Sequence, residues 1–220
     1  MNKYPGVFGK KLGMTQVIAE DGTVLPCTVI EADAVVVGKR TAEKDGYDAV
    51  IFGLDDAKEK HVSKASLGAF KKDNVPPKRN LREMRCTAEH AASLEVGKPV
   101  ALDQLFTEGQ IVDVRGVSRG RGFSGVIRRH HFAGAVQTHG THEYKRHGGS
   151  IGTNMTPGRT LKGLRMPGQH GNFTVSILNQ RVVKVIPEKN LILIRGAVPG
   201  AANGFIEVRG AVKRKGGKKS

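Results

Sequence analysis

Histidines are concentrated in one stretch of the chain, where their spacing suggests a metal site. Six of the eight histidines lie between residues 130 and 170, and His142, Glu143 and His147 resemble a zinc-binding helix motif. The spacing is one residue too long, because positions i and i+5 are about 140° apart around a helix. No cysteine lies nearby to complete a closed tetrahedral zinc site. We therefore expect no metal site, and interpret the histidines as contacts to phosphates and bases.

A glycine pattern in the same stretch matches a nucleotide-binding fingerprint. Gly120, Gly122 and Gly125 form GxGxxG, which follows a predicted strand, 111–117, and opens a predicted helix around 123–132. A dinucleotide fold would place an acidic residue after a second strand about 20 residues further on. The next acid is Glu143, which lies in a polar stretch without a strand pattern. The arginines around the glycines favour a nucleic-acid phosphate backbone instead, and we expect no cofactor.

Basic residues accompany these glycines. Residues 115–171 contain 13 glycines, ten Lys or Arg and one acid. Glycine lets the backbone approach phosphates closely, and guanidinium groups bind phosphate and stack on bases, so this composition favours contact with folded RNA. The alternative, a flexible linker, does not need ten cations and six histidines. The predicted RNA-binding set is Arg115, Arg119, Arg121, Arg128, Arg129, His130, Lys145, Arg146, Arg159, Lys162 and Arg165.

Composition and charge limit the classes of protein to consider. The 220 residues carry a net charge of +16, of which +9 lies in 115–171 and +6 in 209–220. Such a field attracts a polyanion, either nucleic acid or an anionic membrane surface. No apolar stretch approaches the roughly 18 residues of a membrane span, and Cys27 and Cys86 form no CxxC pair. We expect a soluble intracellular protein with no membrane partner and no small-molecule substrate.

The nearly neutral remainder of the chain has the pattern of short strands with turn signals. It favours a mainly β protein with a closed or nearly closed barrel. Helical spacing in 61–72 and 87–94 predicts an α+β insertion. The predicted strands are 14–19 and 23–31 around Asp21-Gly22, 34–40 and 47–54 around Asp45-Gly46, then 173–178, 181–186 and 191–195.

The basic segment lies inside this strand pattern. About 40 of its residues show no periodicity, and strands resume directly after it, so the segment must leave the globule and return to it. We call residues 119–171 the extension. The chain then ends in a short basic tail, 211–220, which suits the neutralisation of phosphates without reading sequence.

Four separated matches carry a resemblance to a known family. The chain resembles the bacterial large-subunit ribosomal protein L-three family along nearly its whole length. The matching segments are 9–15 (GKKLGMT), the signature spacing from Phe106 to Arg129, the central loop 149–159 (GSIGTNMTPGR) with 162–169 (KGLRMPGQ), and 190–200 (NLILIRGAVPG).

The resemblance implies a fold and a division into parts. Members of the family have a six-stranded translation-protein-type β-barrel with an α+β insertion and a long irregular extension that penetrates the rRNA. The corresponding parts of this chain are 1–54, 99–118 and 172–210 for the barrel, 55–98 for the insertion, 119–171 for the extension and 211–220 for the tail.

The resemblance also implies a function. Members are structural constituents of the large (50S) ribosomal subunit in the cytoplasm. They bind the large-subunit (23S) rRNA near its 3′ end, help to nucleate subunit assembly and neighbour the ribosomal proteins L-fourteen and L-nineteen. The tip of the extension approaches the peptidyl-transferase centre. By motif position, the tip residues are Gly152, Thr153, Asn154, Met155 and Thr156.

Met155 departs from some relatives, which carry a methylated glutamine at this position. Methionine has no side-chain amide, so that modification is not expected here.

Two other classes remain open at this point. A non-specific basic nucleic-acid-binding protein would share the charge but would bind duplex DNA equally well. A nucleotide- or metal-dependent enzyme would need the GxGxxG pattern or the histidines to be functional. The resemblance favours a non-enzymatic, structural protein over both.

Overall fold

A computed structural model describes residues 6–213, and residues 1–5 and 214–220 lie outside it. The described chain forms two compact units: residues 6–117 with 174–213, the first unit, and Ser118–Phe173, the second unit. Of the predicted basic tail, 214–220 lies outside the described residues.

The described residues contain eleven strands and five α-helices. The strands are β1 (Gly6–Ile18), β2 (Val24–Glu31), β3 (Val35–Arg40), β4 (Ala49–Asp56), β5 (Lys78–Arg85), β6 (Ile111–Val117), β7 (Phe123–Ser124), β8 (Gly168–Gln169), β9 (Thr174–Ile186), β10 (Leu191–Arg195) and β11 (Phe205–Gly210). The helices are α1 (Ala42–Asp45), α2 (Lys64–Lys72), α3 (Ala88–Ser93), α4 (Leu102–Leu105) and α5 (Val126–His130), and three short 3-10 turns span Glu59–His61, His142–Arg146 and Pro187–Lys189. The predicted mainly β class is confirmed.

Six strands of the first unit form one antiparallel sheet. Its order is β1-β11-β6-β9-β10-β2, and β2 pairs in turn with β1. We call it the closed sheet. Alternating aliphatic side chains fill its interior, and burying each of them stabilises the fold by about 1.5–3 kcal/mol. Among the fully buried members are Val112, Val114, Ile192, Ile194, Ile206 and Val208.

The hairpin predicted around Asp21-Gly22 is present and longer than expected. The Ala19 N–H donates to the Thr23 carbonyl across the turn, and Gly22 has a φ of 77°. The first strand begins at Gly6, eight residues before its predicted start. Lysines and glycines in 9–13 hide the alternation that marks a strand. The Lys10 Nζ lies 2.6 Å from an Asp55 carboxylate oxygen on β4, which ties β1 to the second sheet of the unit.

The assignment of residues 35–54 to the barrel is wrong. β3 and β4 pair with β5 in a separate three-stranded sheet, in the order β3-β4-β5. β5 was not predicted because its sequence, KRNLREMR, is mostly charged and buries only Met84. The two sheets nevertheless share one hydrophobic core, in which the Phe8 and Phe52 rings meet edge to face at 5.8 Å.

Two local predictions also need correction, and one strand was missed. β3 and β4 are not joined by a tight turn, because Asp45 ends the helical turn α1 and Gly46 terminates it with a φ of 80°. Segments 173–178 and 181–186 form the single strand β9, in which a bulge at Asn179, opposite Asp113 of β6, interrupts the apolar pattern. β11 was not predicted at all.

The two helices predicted in the insertion are present as α2 and α3. Their first turns are capped as their sequences imply, with the Ser63 and Thr87 hydroxyls accepting from the backbone N–H groups of Ser66 and His90. In residues 6–213, no helix has the length and apolar character needed to cross a membrane.

Candidate nucleic-acid interface

Two chain segments run antiparallel through the second unit. The Ser118 N–H donates to Phe173 and the Asn172 N–H donates back to Ser118, at 2.9 and 3.0 Å. Further along, Arg121 and His170 continue the ladder, followed by the short pair β7 and β8. Gly171 makes this close approach possible, because a Cβ there would overlap the Arg119 carbonyl oxygen. The outgoing and returning segments are therefore held together by backbone hydrogen bonds.

The predicted helix 123–132 is shorter than expected and is fixed to the returning segment. α5 spans only Val126–His130, because Phe123 and Ser124 form β7 and His131 ends the helix with a φ of 60°. Its basic last turn contacts one carbonyl group. The Arg129 Nη1 donates to the Met166 oxygen at 2.7 Å, and the His130 Nε2 lies 3.1 Å from the same oxygen.

These contacts change the interpretation of two predicted binding residues. Arg129 and His130 are half-buried, and each has a ring or guanidinium nitrogen directed at the Met166 carbonyl. These contacts connect the last turn of α5 to the returning segment. Arg129 keeps other N–H groups, which are free to contact a phosphate.

The other predicted cations of the second unit face solvent. Within the described second unit, none of them forms an ion pair, and the only acid there is Glu143. Unpaired, solvent-exposed cations produce a positive field that attracts a polyanion. The exposed set is Arg119, Arg121, Arg128, Lys145, Arg146, Arg159, Lys162 and Arg165.

Arg115 belongs to the first unit. It lies on β6, with its Nη1 at 3.9 Å from a carboxylate oxygen of Glu207 on the adjacent strand β11. The side chain is half exposed, so this long ion pair contributes little to stability. Arg115 is therefore ion-paired within the first unit, unlike the exposed cations of the described second unit.

The predicted tip is a compact turn with an exposed end. The Thr153 hydroxyl donates to the Thr156 carbonyl at 2.6 Å, and the Ser150 hydroxyl donates to the Gly152 carbonyl at 3.0 Å. Met155 is 87% exposed.

The histidines do not gather into a metal site. Within residues 6–213, no three His, Cys, Asp or Glu side chains converge as metal ligands would. His170 is instead shielded by its own unit, and its Nδ1 has no hydrogen-bond partner among the described residues. Burial lowers the pKa of His170, and nearby cationic groups lower it further: Arg121, Arg128, Arg129 and His131.

The GxGxxG segment lacks the surroundings of a dinucleotide site. Such a site needs a parallel strand–helix–strand unit. The strand that precedes the glycines, β6, pairs antiparallel with both β11 and β9. The glycines instead lead from the closed sheet into α5.

Sequence reasoning missed an aromatic cavity in the second unit. Phe132, Tyr144 and His147 line a cavity of about 590 Å³, and the remaining lining residues are alanines and glycines. The sequence did contain a signal for an aromatic site. Aromatic residues make up only 5% of the chain, and one of them, Tyr144, directly precedes Lys145 and Arg146. Alternating aromatic and basic residues are typical of surfaces that bind single-stranded nucleic acid.

Comparisons with known proteins agree with one another. A family model described as Ribosomal protein L3 matches residues 84–190. Three relatives, each called large ribosomal subunit protein uL3, cover nearly the whole chain. The relative from Sorangium cellulosum is 61% identical over 218 residues, which is 99% of this chain and 94% of the relative. Those from Myxococcus xanthus and a Geobacillus species are 49% and 46% identical over 94% and 96% of this chain, and 93% and 98% of their own.

Proposed function

Because the chain belongs to the ribosomal protein L3 family, we propose that it is a structural constituent of the large ribosomal subunit, a cytoplasmic particle. Its partner there is the 23S rRNA. The protein is a structural component and not an enzyme.

The distribution of charge in the second unit is the observation that supports rRNA binding most directly. Nine Lys or Arg and one acid give this unit a net charge of +8. Eight of the nine cations are exposed, and within the described unit none is neutralised by a carboxylate. In free solution these charges repel one another, whereas phosphates on either side of the unit would neutralise them and release counterions.

The first unit suits an anchoring role. Its core is formed by the closed sheet together with β3, β4 and β5, and no residue of the second unit takes part in that described core. We propose that the closed sheet is the translation-protein-type barrel of the family, that 55–98 with β3 and β4 forms its α+β insertion, and that 119–171 is the extension which enters the rRNA.

The finer family properties are part of the same proposal. We infer that the protein binds near the 3′ end of the rRNA, helps to nucleate subunit assembly and neighbours L-fourteen and L-nineteen. We also propose that Gly152, Thr153, Asn154, Met155 and Thr156 approach the peptidyl-transferase centre. The local hydrogen bonds of the turn and the exposure of Met155 support a contact role for this tip.

Sedimentation of a native lysate tests the proposal. The protein should migrate with large ribosomal subunits and stay with them through washes of moderate salt. In parallel, the purified protein should prefer large-subunit rRNA over duplex DNA in competition at a stated salt concentration. Equal binding to both competitors, with no protein in the subunit fractions, would instead identify a non-specific basic nucleic-acid-binding protein.

A further inference from the structure

The aromatic cavity of the second unit has the size and walls of a binding site. Its volume of about 590 Å³ lies within the roughly 300–1,000 Å³ of pockets that take small molecules or parts of larger ones. Three rings line it, those of Phe132, Tyr144 and His147, and the rest of the wall has side chains no larger than a methyl group. A flat ligand is therefore able to approach the backbone closely.

Two of the three rings, those of Tyr144 and His147, belong to exposed residues. The Tyr144 and His147 rings meet edge to face, with their centroids 4.8 Å apart and their planes at 75°. Tyr144 is 65% exposed, while Phe132 is half-buried. An exposed ring fixed by an aromatic neighbour is a ready stacking platform, because little side-chain freedom remains to be lost when a ligand binds.

Backbone conformation favours glycine at two positions in the wall of the cavity. Gly134 and Gly149 both have a φ of 79°, which side chains rarely adopt. At Gly134 a Cβ would also lie 2.8 Å from the Lys145 carbonyl oxygen. Among the described residues, the backbone N–H and C=O groups of Gly134, Gly148 and Gly149 take part in no hydrogen bond. They remain available to donors and acceptors on the edge of a ligand.

The charges beside the cavity identify the ligand class. Lys145 and Arg146 follow Tyr144 directly, and both are exposed without an ion pair in the described chain. A ligand that suits this site has a flat π face, polar edges and a negative charge next to the ring. An unstacked nucleotide in a single-stranded loop of RNA combines all three features.

We propose that the cavity holds one unstacked nucleobase of the large-subunit rRNA, with the Tyr144 ring as its stacking face. The inference rests on the proposed function and deepens it by naming a base-binding site. Lys145 and Arg146 contact the adjoining phosphates, and the glycine backbone meets the edge of the base.

Chemical probing of the bases in rRNA complexes tests this site, using the full-length protein and three variants. Tyr144→Leu removes the π face and keeps an apolar side chain, whereas Tyr144→Phe keeps the ring. Leu161→Ala is a matched control, because Leu161 is 67% exposed in the same unit and lies outside the cavity. A base–aromatic stack contributes a factor of roughly 5 to 150 in binding. We therefore expect one unpaired nucleotide, protected by the wild type, Tyr144→Phe and Leu161→Ala proteins, to become about tenfold more reactive with Tyr144→Leu.

The outcomes separate this inference from the proposed function. If the wild-type protein does not co-sediment with the rRNA, both are overturned. If all four proteins co-sediment and Tyr144→Leu changes no nucleotide, only the base-binding site is overturned. The same holds if Tyr144→Phe behaves like Tyr144→Leu, since the ring would then not be the binding element. Equal thermal unfolding of the four proteins confirms that the comparison reports binding and not folding.

A fluorescence measurement provides an independent check. The chain contains no tryptophan, so Tyr144→Trp introduces a single reporter whose emission is quenched by a stacked base. We expect at least about twofold quenching when large-subunit rRNA is added. Unchanged emission in a complex that co-sediments would overturn the stacking role of position 144.

Discussion

The Asp113 carboxylate accepts a hydrogen bond from the backbone N–H of Asn179, with 2.9 Å between Oδ1 and N, although Asp113 is only 3% exposed. Its second oxygen accepts from the Val212 N–H at 3.3 Å. One buried side chain on β6 thus holds both the bulge of β9, where Asn179 has a φ of 57°, and the chain that follows β11. A buried carboxylate is tolerated here because backbone donors satisfy it.

Replacement of Asp113 should therefore destabilise the first unit. Asp113→Ala leaves two backbone N–H groups without their acceptor, and we expect the free energy of unfolding to fall by about 2–4 kcal/mol in a urea titration. Asp113→Asn keeps one acceptor oxygen and should cost less. Glu108→Ala, at an exposed position, serves as the control, and an equal loss in that variant would contradict the role of Asp113.

Exposed cations of the second unit should determine how strongly rRNA binding depends on salt. Neutralising Arg128, Lys145 and Arg146 together to Gln removes up to three phosphate contacts. The fall of log K with log salt should then become less steep, with a slope smaller in magnitude by about 2–3, because each phosphate contact contributes roughly 0.7–0.9 to it. The matched triple variant is Lys44→Gln, Lys64→Gln and Lys71→Gln, which removes the same charge from exposed positions of the first unit. Equal slope changes in the two triple variants would show that only net charge matters.

The first unit should fold without the second. The core cluster that joins the closed sheet to β3, β4 and β5 contains no residue from 118–173 among the described residues. Replacing 121–170 with a short Gly-Ser linker keeps the Ser118–Phe173 closure, so thermal unfolding should remain cooperative while rRNA binding weakens. Loss of the cooperative transition, followed by circular dichroism, would show that the extension contributes to the core.

Acid should loosen the base of the extension in the free protein. The pKa of His170 is lowered, first by burial and then by nearby positive charge, so the folded state binds a proton less readily than the unfolded chain. Stability therefore falls as the pH decreases below the ordinary value of about 6.5. Hydrogen exchange of the Arg121 and His170 amides should accelerate between pH 7.5 and 5.5, after correction for intrinsic rates. His170→Gln, which does not titrate, should abolish that dependence.

Both cysteines should be unreactive in the folded protein. Cys27 and Cys86 are free and buried, and burial raises the pKa of each thiol. Since the thiolate is the reactive form, alkylation at pH 8 should be slow in buffer and rapid for both in denaturant. Cys27→Ser isolates the signal of Cys86. Rapid labelling of either thiol in buffer, at an unchanged melting temperature, would disprove its protection.

Local sequence patterns predicted those elements that are formed by contacts between residues close together in the chain. The hairpin at Asp21-Gly22 and the capped helices α2 and α3 depend on short-range hydrogen bonds and periodicity, so they were predictable. β5 was not predictable in this way. Its eight residues are mostly charged, and its pairing with β4 depends on residues about 30 positions away.

The sequence by itself determined where the charge lies along the chain, because the charge of a side chain follows from its residue type and does not depend on the fold. It therefore showed that the glycines and the unbalanced cations are concentrated in one segment, 115–171. Only the tertiary structure decided which groups those residues meet. It directed Arg129 and His130 to the Met166 carbonyl, placed Arg115 beside Glu207, and brought Phe132 beside Tyr144 and His147. Such contacts depend on how distant segments pack against each other, which no single stretch of sequence encodes.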